Sequence, residues 1–129
     1  MATLFTKIIN GEIPCYKVAE NEEFLAFLDI MPVKQGHVLV IPKIEVDYIF
    51  NLEDEFLGRM MIFAKMVSKK IEKVFPCKRI GVTVIGLEVP HAHIHLIPID
   101  KLDDMNFAKP KLKLDQQKLA QIAESIAQR

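Results

Sequence analysis

Three histidines fall within five positions, His91, His93 and His95, inside the stretch "VPHAHIHLIP" at residues 89–98. Side chains alternate across a strand, so the three imidazoles share one face, while Ala92, Ile94 and Leu96 point the other way, into a core. Packing gives no reason for such a row. Chemistry gives two. The first is metal binding: an HxH pair on a strand can hold a zinc or related ion. The third histidine reaches the same ion only if the strand bends, and the chain's fourth, His37, could complete the three ligands of a catalytic zinc. The second is metal-free covalent catalysis. A neutral imidazole is a good nucleophile toward phosphorus, and neighbouring imidazoles can hold its tautomer and donate protons. His37 opens the segment "HVLVIP", so a loop–strand junction could bring it beside the row.

The elements that must position these residues are legible in the periodicity. Leu4, Phe5, Ile8 and Ile9 have helical spacing, and Gly11 can close that short helix. "CYKVAENEEFLAFLDI" reads as two strands around a turn at Asn21–Glu22. Leu25 and Phe27 alternate with Phe24, Ala26 and Leu28, so the second strand is expected to be buried on both sides. "MPVKQG" is a loop with Pro32 and Gly36 as breakers, and "HVLVIP" is a β-branched strand that stops at Pro42. The longest helix is expected from Leu52 to Phe75, with Asn51 as N-cap and Glu53, Asp54 and Glu55 at the positive end of its dipole. Its apolar stripe runs through Phe56, Met60, Phe63, Val67, Ile71 and Val74. Leu57 and Met61 widen it beyond what one sheet face needs. The methionines Met60, Met61 and Met66 read as core or interface packing rather than a ligand groove. "RIGVTVIG" and "AHIHLIPI" are two further strands. Leu119, Ile122, Ala123 and Ile126 share one face of a last helix. This order implies an α+β fold: an antiparallel five-stranded sheet with the long helix packed on it.

Composition sets the frame. The chain has 129 residues, half of them apolar and 26% charged, with acidic and basic side chains in balance at 17 each. That is one domain's length with a globular composition. No single-sign field recommends nucleic acid or an anionic membrane as the main partner. The N-terminus does not read as a signal peptide, and no apolar run approaches the ~20 residues that span a bilayer. Cys15 and Cys77 lie far apart, as expected of two unpaired thiols in a reducing, cytoplasmic setting.

With these residues in view, the chain resembles the histidine triad (HIT) family, nearest its nucleoside phosphoramidase branch. "HAHIHLI" fits the triad pattern of histidines alternating with apolar residues. "LFTKIINGEIP" is similar to the family's N-terminal helix, and "FLAFLDIMPVKQGHVLVIPK" to its strand–loop–strand segment. The likeness covers residues 3–99, within a single domain at 1–129 that ends in a helical extension at about 101–129. It implies a two-fold dimer through the long helix. It also implies hydrolysis at the α-phosphorus of purine nucleoside phosphoramidates, adenylates or dinucleoside polyphosphates through a nucleotidyl-histidine. On that resemblance His93 is the nucleophile. His95 bonds the phosphoryl or leaving group, and His91 with His37 fixes tautomers and relays protons. Asp29 would accept from the ribose hydroxyls, although an Asp before "IMP" also suits capping of the following turn. Phe5, Ile8, Phe27, Ile30 and Leu39 would wall the base. No metal and no cofactor are implied.

Two departures stand out. Many bacterial relatives hold a structural zinc with a CxxC whose positions here are Thr3 and Thr6, so no such zinc is expected. In "VTVIGLEVPH", Val84, Ile85 and Leu87 stand where the family has an asparagine and a glutamine-bearing loop that contact phosphate. Two alternatives therefore stay beside the hydrolase reading: a nucleotide-binding module with weak or no catalysis, and a metal-dependent hydrolase using the same histidines.

Overall fold

The computed structural model describes residues 2–129. Five strands form one antiparallel sheet: β1 (Lys17–Glu20), β2 (Phe24–Leu28), β3 (Val38–Pro42), β4 (Arg79–Thr83) and β5 (Ile94–Ile99). Their spatial order is β1-β2-β3-β5-β4. Helix α1 is Leu4–Ile9, α2 is Asp54–Val74 and α3 is Gln116–Ala127, with single 3-10 turns at Ile49–Asn51 and Leu102–Met105. The expected α+β class and five-stranded antiparallel sheet are both present.

The two sheet faces have different cover. On one, α2 contributes Met60, Phe63, Ala64, Val67 and Ile71, and α3 contributes Leu119, Ile122, Ala123 and Ile126, to a core with Val18, Ala26, Val38, Val40, Ile94 and Leu96. On the other, Phe5 of α1 packs with Leu25, Phe27, Leu39 and Ile41. Strands β2 and β3 are buried at every position because both faces are covered. A fully buried aliphatic side chain contributes roughly 1.5–3 kcal/mol relative to exposure, so this double layer is the main source of stability. Among the described residues no helix is long and apolar enough to cross a membrane.

Local chemistry sets the joints. Asn21 Oδ1 accepts from the N–H groups of Glu23 and Phe24, at 2.9 and 2.8 Å, which makes the β1–β2 turn. Gly36 has φ +91°, and a Cβ there would lie 2.8 Å from the Phe75 ring, so glycine alone lets the loop turn tightly into β3 beside the end of α2.

Three boundaries differ from the sequence expectation. Helix α2 begins at Asp54 with Glu53 as N-cap, not with Asn51. Asn51 ends the preceding 3-10 turn, and Leu52 is buried with extended backbone (φ −73°, ψ 146°), which delays the helix. Strand β4 ends at Thr83, so Val84 and Ile85 leave the sheet. The third correction touches the histidines. Strand β5 begins at Ile94, and His91 and His93 precede it. The His91 N–H bonds the Val89 carbonyl and the Ala92 N–H bonds the Val46 carbonyl, both at 2.7 Å, and these bonds draw the backbone away from the ladder. The alternation survives the bend: Ala92, Ile94 and Leu96 still enter the core on the α2 face.

Candidate active site

All four histidines are brought together and all are buried, between 0% and 7% exposed. His95 lies on β5 opposite Leu39 of β3 and Thr83 of β4. His37 stands just before β3, where its carbonyl accepts from the Asp29 N–H at 3.1 Å and ties the loop to the end of β2. Phe5 of α1 stands edge-on to both His91 and His93, at ring-centroid distances of 5.7 and 5.1 Å.

Backbone groups fix the tautomers, because a carbonyl can only accept and an amide N–H can only donate. The Val33 N–H donates to His37 Nδ1 at 3.1 Å, so neutral His37 carries its proton on Nε2. That Nε2–H donates to His95 Nδ1 at 2.9 Å, so neutral His95 carries its proton on Nε2 as well. His91 Nε2–H donates to the Pro42 carbonyl at 2.9 Å, leaving Nδ1 to accept from the Thr3 hydroxyl, also at 2.9 Å. His93 is the exception. Its Nδ1–H donates to the His91 carbonyl at 2.7 Å, which leaves Nε2 with a free lone pair. Among the described residues no side-chain nitrogen or oxygen that is closed off from solvent lacks a partner. The two ring edges left unbonded by protein are thus a lone pair on His93 and an N–H on His95, and both residues line the same cavity.

Burial keeps the supporting rings neutral. Desolvation, with the neighbouring His95, pushes His37 down to about 3. Desolvation, with His93, pushes His95 down to about 4. His91 is also lowered by burial, partly offset by its bond to the Pro42 carbonyl. Asp29 is raised, chiefly by burial, against the lowering effect of the Met31 N–H.

The cavity holds about 220 Å³. Its walls include Phe5, Ile8, Phe27, Asp29, Ile30 and Leu39, the six residues anticipated for a nucleoside. Asp29 does two things at once. Oδ1 accepts from the Met31 N–H at 2.9 Å, which is the turn-capping role, and Oδ2 lies 3.7 Å from His37 Nε2. The donor atoms of Asp29, His37 and His95 lie within 4.8 Å of one another, close enough for a metal ion. An ion there would have to replace the His37–His95 bond. At the two threonines, Thr6 Oγ1 donates to Glu45 at 2.6 Å while Thr3 Oγ1 serves His91. These two threonines form a hydrogen-bonded brace under the triad.

Sequence reading missed Cys15, Glu88 and Phe107. Cys15 and Glu88 line the cavity, and the nearness of Glu88 to the triad in "EVPH" was the available signal for it. Phe107 stands edge-on to His95 at 5.0 Å and to His37 at 6.0 Å. It comes from an irregular segment with no periodicity to mark it.

Comparisons with known proteins identify the fold and the family. The HIT domain profile matches residues 10–102. The adenosine 5′-monophosphoramidase of Saccharomyces cerevisiae is 35% identical over 128 residues, covering 97% of this chain and 80% of that protein. The crystal structure of a HIT-like protein from Bartonella henselae superposes with a TM-score of 0.84 at 28% identity, covering 98% of this chain and 95% of that one. A HIT family structure from Bacillus subtilis gives a TM-score of 0.76 at 33% identity, covering 100% and 97%. The family profile spans well over half the chain and includes all four histidines, so the chain belongs to the HIT domain family.

Proposed function

We propose that this protein is a nucleotide hydrolase that cleaves purine nucleoside phosphoramidates, adenylates or dinucleoside polyphosphates at the α-phosphorus, through a nucleotidyl-histidine on His93. The observation that carries the reading is the tautomer of His93. Its Nδ1–H is held by the His91 carbonyl, so the Nε2 lone pair is free to attack. The P–Nε2 bond forms as the bond to the leaving group breaks, and the resulting imidazolium keeps its Nδ1–H on that carbonyl. The Nε2–H of His95 offers a donor to the phosphoryl oxygen or leaving group. His37 and His91 hold tautomers in place. Water then breaks the P–Nε2 bond and releases the nucleoside monophosphate. For a phosphoramidate, one water is consumed over the two steps: its oxygen ends on phosphorus, and one of its protons replaces the proton that the leaving amine takes up in the first step.

Asp29 is the proposed ribose acceptor, and Phe5, Ile8, Phe27, Ile30 and Leu39 the proposed base walls. Their common cavity with His93 and His95 supports this. The yeast relative's activity as an adenosine 5′-monophosphoramidase supports the substrate class. We read residues 1–129 as a single domain, with the α3 residues sharing the α2 core in support. A cytoplasmic setting accords with the two free thiols, Cys15 and Cys77. A homodimer is part of the proposal. Met61, Ile62, Phe50 and Leu87 are all exposed apolar side chains, and a two-fold contact would bury such a surface.

The test is release of monophosphate from an adenosine phosphoramidate, with and without a chelator. Turnover indifferent to the chelator is the expected result. Binding without turnover would reduce the protein to a nucleotide-binding module, and metal-dependent turnover would replace the covalent route with a metal site.

A further inference from the structure

The cavity that holds the reactive ring edges is poorly suited, by its walls alone, to an anion. It is lined by two carboxylates, Asp29 and Glu88, and by no lysine or arginine. His37 and His95 are held neutral by burial. A phosphoryl group entering beside them meets negative charge unless a cation stands at the rim. The loop before the triad offers none. Val84, Ile85 and Leu87 are apolar and line a different surface cavity, with Leu57, Met61 and Phe50.

The segment between the 3-10 turn at Leu102–Met105 and α3 supplies what is missing. It lies outside the residues matched by the family profile, which end at 102. It is nonetheless built and anchored. Asn106 Oδ1 accepts from the Ala108 N–H at 2.9 Å, and the Leu112 N–H donates to the Pro32 carbonyl at 2.9 Å, beside the Asp29 loop. Phe107 seats the segment on the His95 and His37 rings. Lys111 Nζ bonds the Phe107 carbonyl and lies 5.7 Å from the Phe107 ring centroid, and that same ring stands edge-on to His95 at 5.0 Å. Its charge is felt at both Asp29 and His37. Two nearby lysines are committed elsewhere, Lys109 to Asp103 at 2.6 Å and Lys34 to Asp104 at 3.5 Å, while Lys113 is exposed. Among the described residues Lys111 has no carboxylate partner. Its Nζ meets two carbonyls, those of Phe107 and Lys109, and an ammonium has three N–H donors.

We infer that Lys111 is a phosphate-binding residue of this site, delivered from outside the family's common core by a segment that Phe107 docks on His95 and His37. This rests on the nucleotide reading above and adds the cation that reading lacks. The side chain is half-buried, with a free donor and a flexible stem, so it can swing from the Phe107 carbonyl to a phosphoryl oxygen without disturbing the anchors.

Calorimetric titration with AMP and with adenosine separates the possibilities, using the full chain and the variants Lys111→Met and Lys111→Arg. Lys111→Met should weaken AMP about tenfold, the equivalent of one charge-assisted hydrogen bond. It should leave adenosine within about twofold, since the nucleoside makes no phosphate contact, and Lys111→Arg should retain most of the AMP affinity. Equal weakening of AMP and adenosine by Lys111→Met, or no weakening of either, would overturn the assignment while leaving the nucleotide reading intact. A wild-type chain that binds neither ligand would overturn both.

Discussion

Acid should destabilise this protein through its buried histidines, and the effect can be worked from the two that touch. His37 is held down to about 3 and His95 to about 4, against an ordinary value of 6.5. Both bind a proton less readily in the folded chain than in the unfolded one. Their stabilising contribution is therefore complete above about pH 6.5. It is lost as pH falls, because the unfolded chain takes up protons that the folded chain refuses. Each such histidine gives a slope of up to about 1.4 kcal/mol per pH unit. Between pH 6.5 and 5 that is about 2 kcal/mol for His37, and less for His95, whose ring edge meets the cavity. His91, also lowered, adds in the same direction. Asp29 has the opposite sign. Its raised value means that the folded chain takes that proton more readily, which trims the loss at the acid end. The diagnostic variant is His37→Asn. An asparagine oxygen can still accept the Val33 N–H that now bonds Nδ1, but nothing at that position titrates. Denaturant unfolding followed by far-UV circular dichroism, at pH steps from 7.5 to 4.5, gives the slope for each protein. The variant should be less stable at neutral pH, with a shallower slope between pH 6 and 5, by about 1.4 kcal/mol per unit. Parallel pH profiles for the two proteins would refute the view that His37 is buried neutral and held by its bond to His95.

Two further outcomes follow from the same geometry. Asp29→Ala should weaken ribonucleotide binding by ~1–3 kcal/mol and hurt a deoxyribonucleotide less, because a hydrogen bond to a charged acceptor is lost only where the hydroxyl exists. Equal losses for both ligands together with a lower melting temperature would assign Asp29 to its turn alone, where Oδ1 already accepts the Met31 N–H. Met61→Glu should convert a wild-type dimer to monomer in light scattering at micromolar concentration, since like charges would meet across the two-fold axis. A monomeric wild-type mass would show that the exposed Met61 and Ile62 flank is not a self-contact.

The fold was legible because its elements carry simple periods. The unbroken apolar run from Phe24 to Leu28 marks a strand covered on both faces, the stripe from Met60 to Ile71 marks a helix covered on one, and both are buried as those patterns require. Boundaries were less legible. Asn51 is a better N-cap by type than Glu53, but the burial of Leu52 in an extended conformation outweighs a cap contribution of about 1 kcal/mol. The triad was visible as a row of three imidazoles, yet its functional asymmetry was not. That His93 carries its proton on Nδ1 while the other three carry theirs on Nε2 depends on the carbonyl of His91, the carbonyl of Pro42 and the amide of Val33. Backbone partners leave no trace in residue type. Phe107 and Lys111 were hidden for a related reason. They reach the site from an irregular segment whose position is set by anchors such as the Leu112–Pro32 bond, not by any repeating pattern.

The central claim is that the free lone pair on His93 Nε2 becomes bonded to phosphorus. Rapid quenching of the protein with an adenosine phosphoramidate, digestion without acid, and mass spectrometry of the peptide spanning residues 89–98 tests it directly. The account predicts an adenylyl group on His93 in the wild-type chain. It also predicts no such group in His93→Asn, which should still bind AMP within about twofold of the wild-type affinity because the imidazole serves the transition state rather than the nucleoside. An adenylyl group carried by the His93→Asn protein, or found on another residue of the wild-type chain, would contradict it.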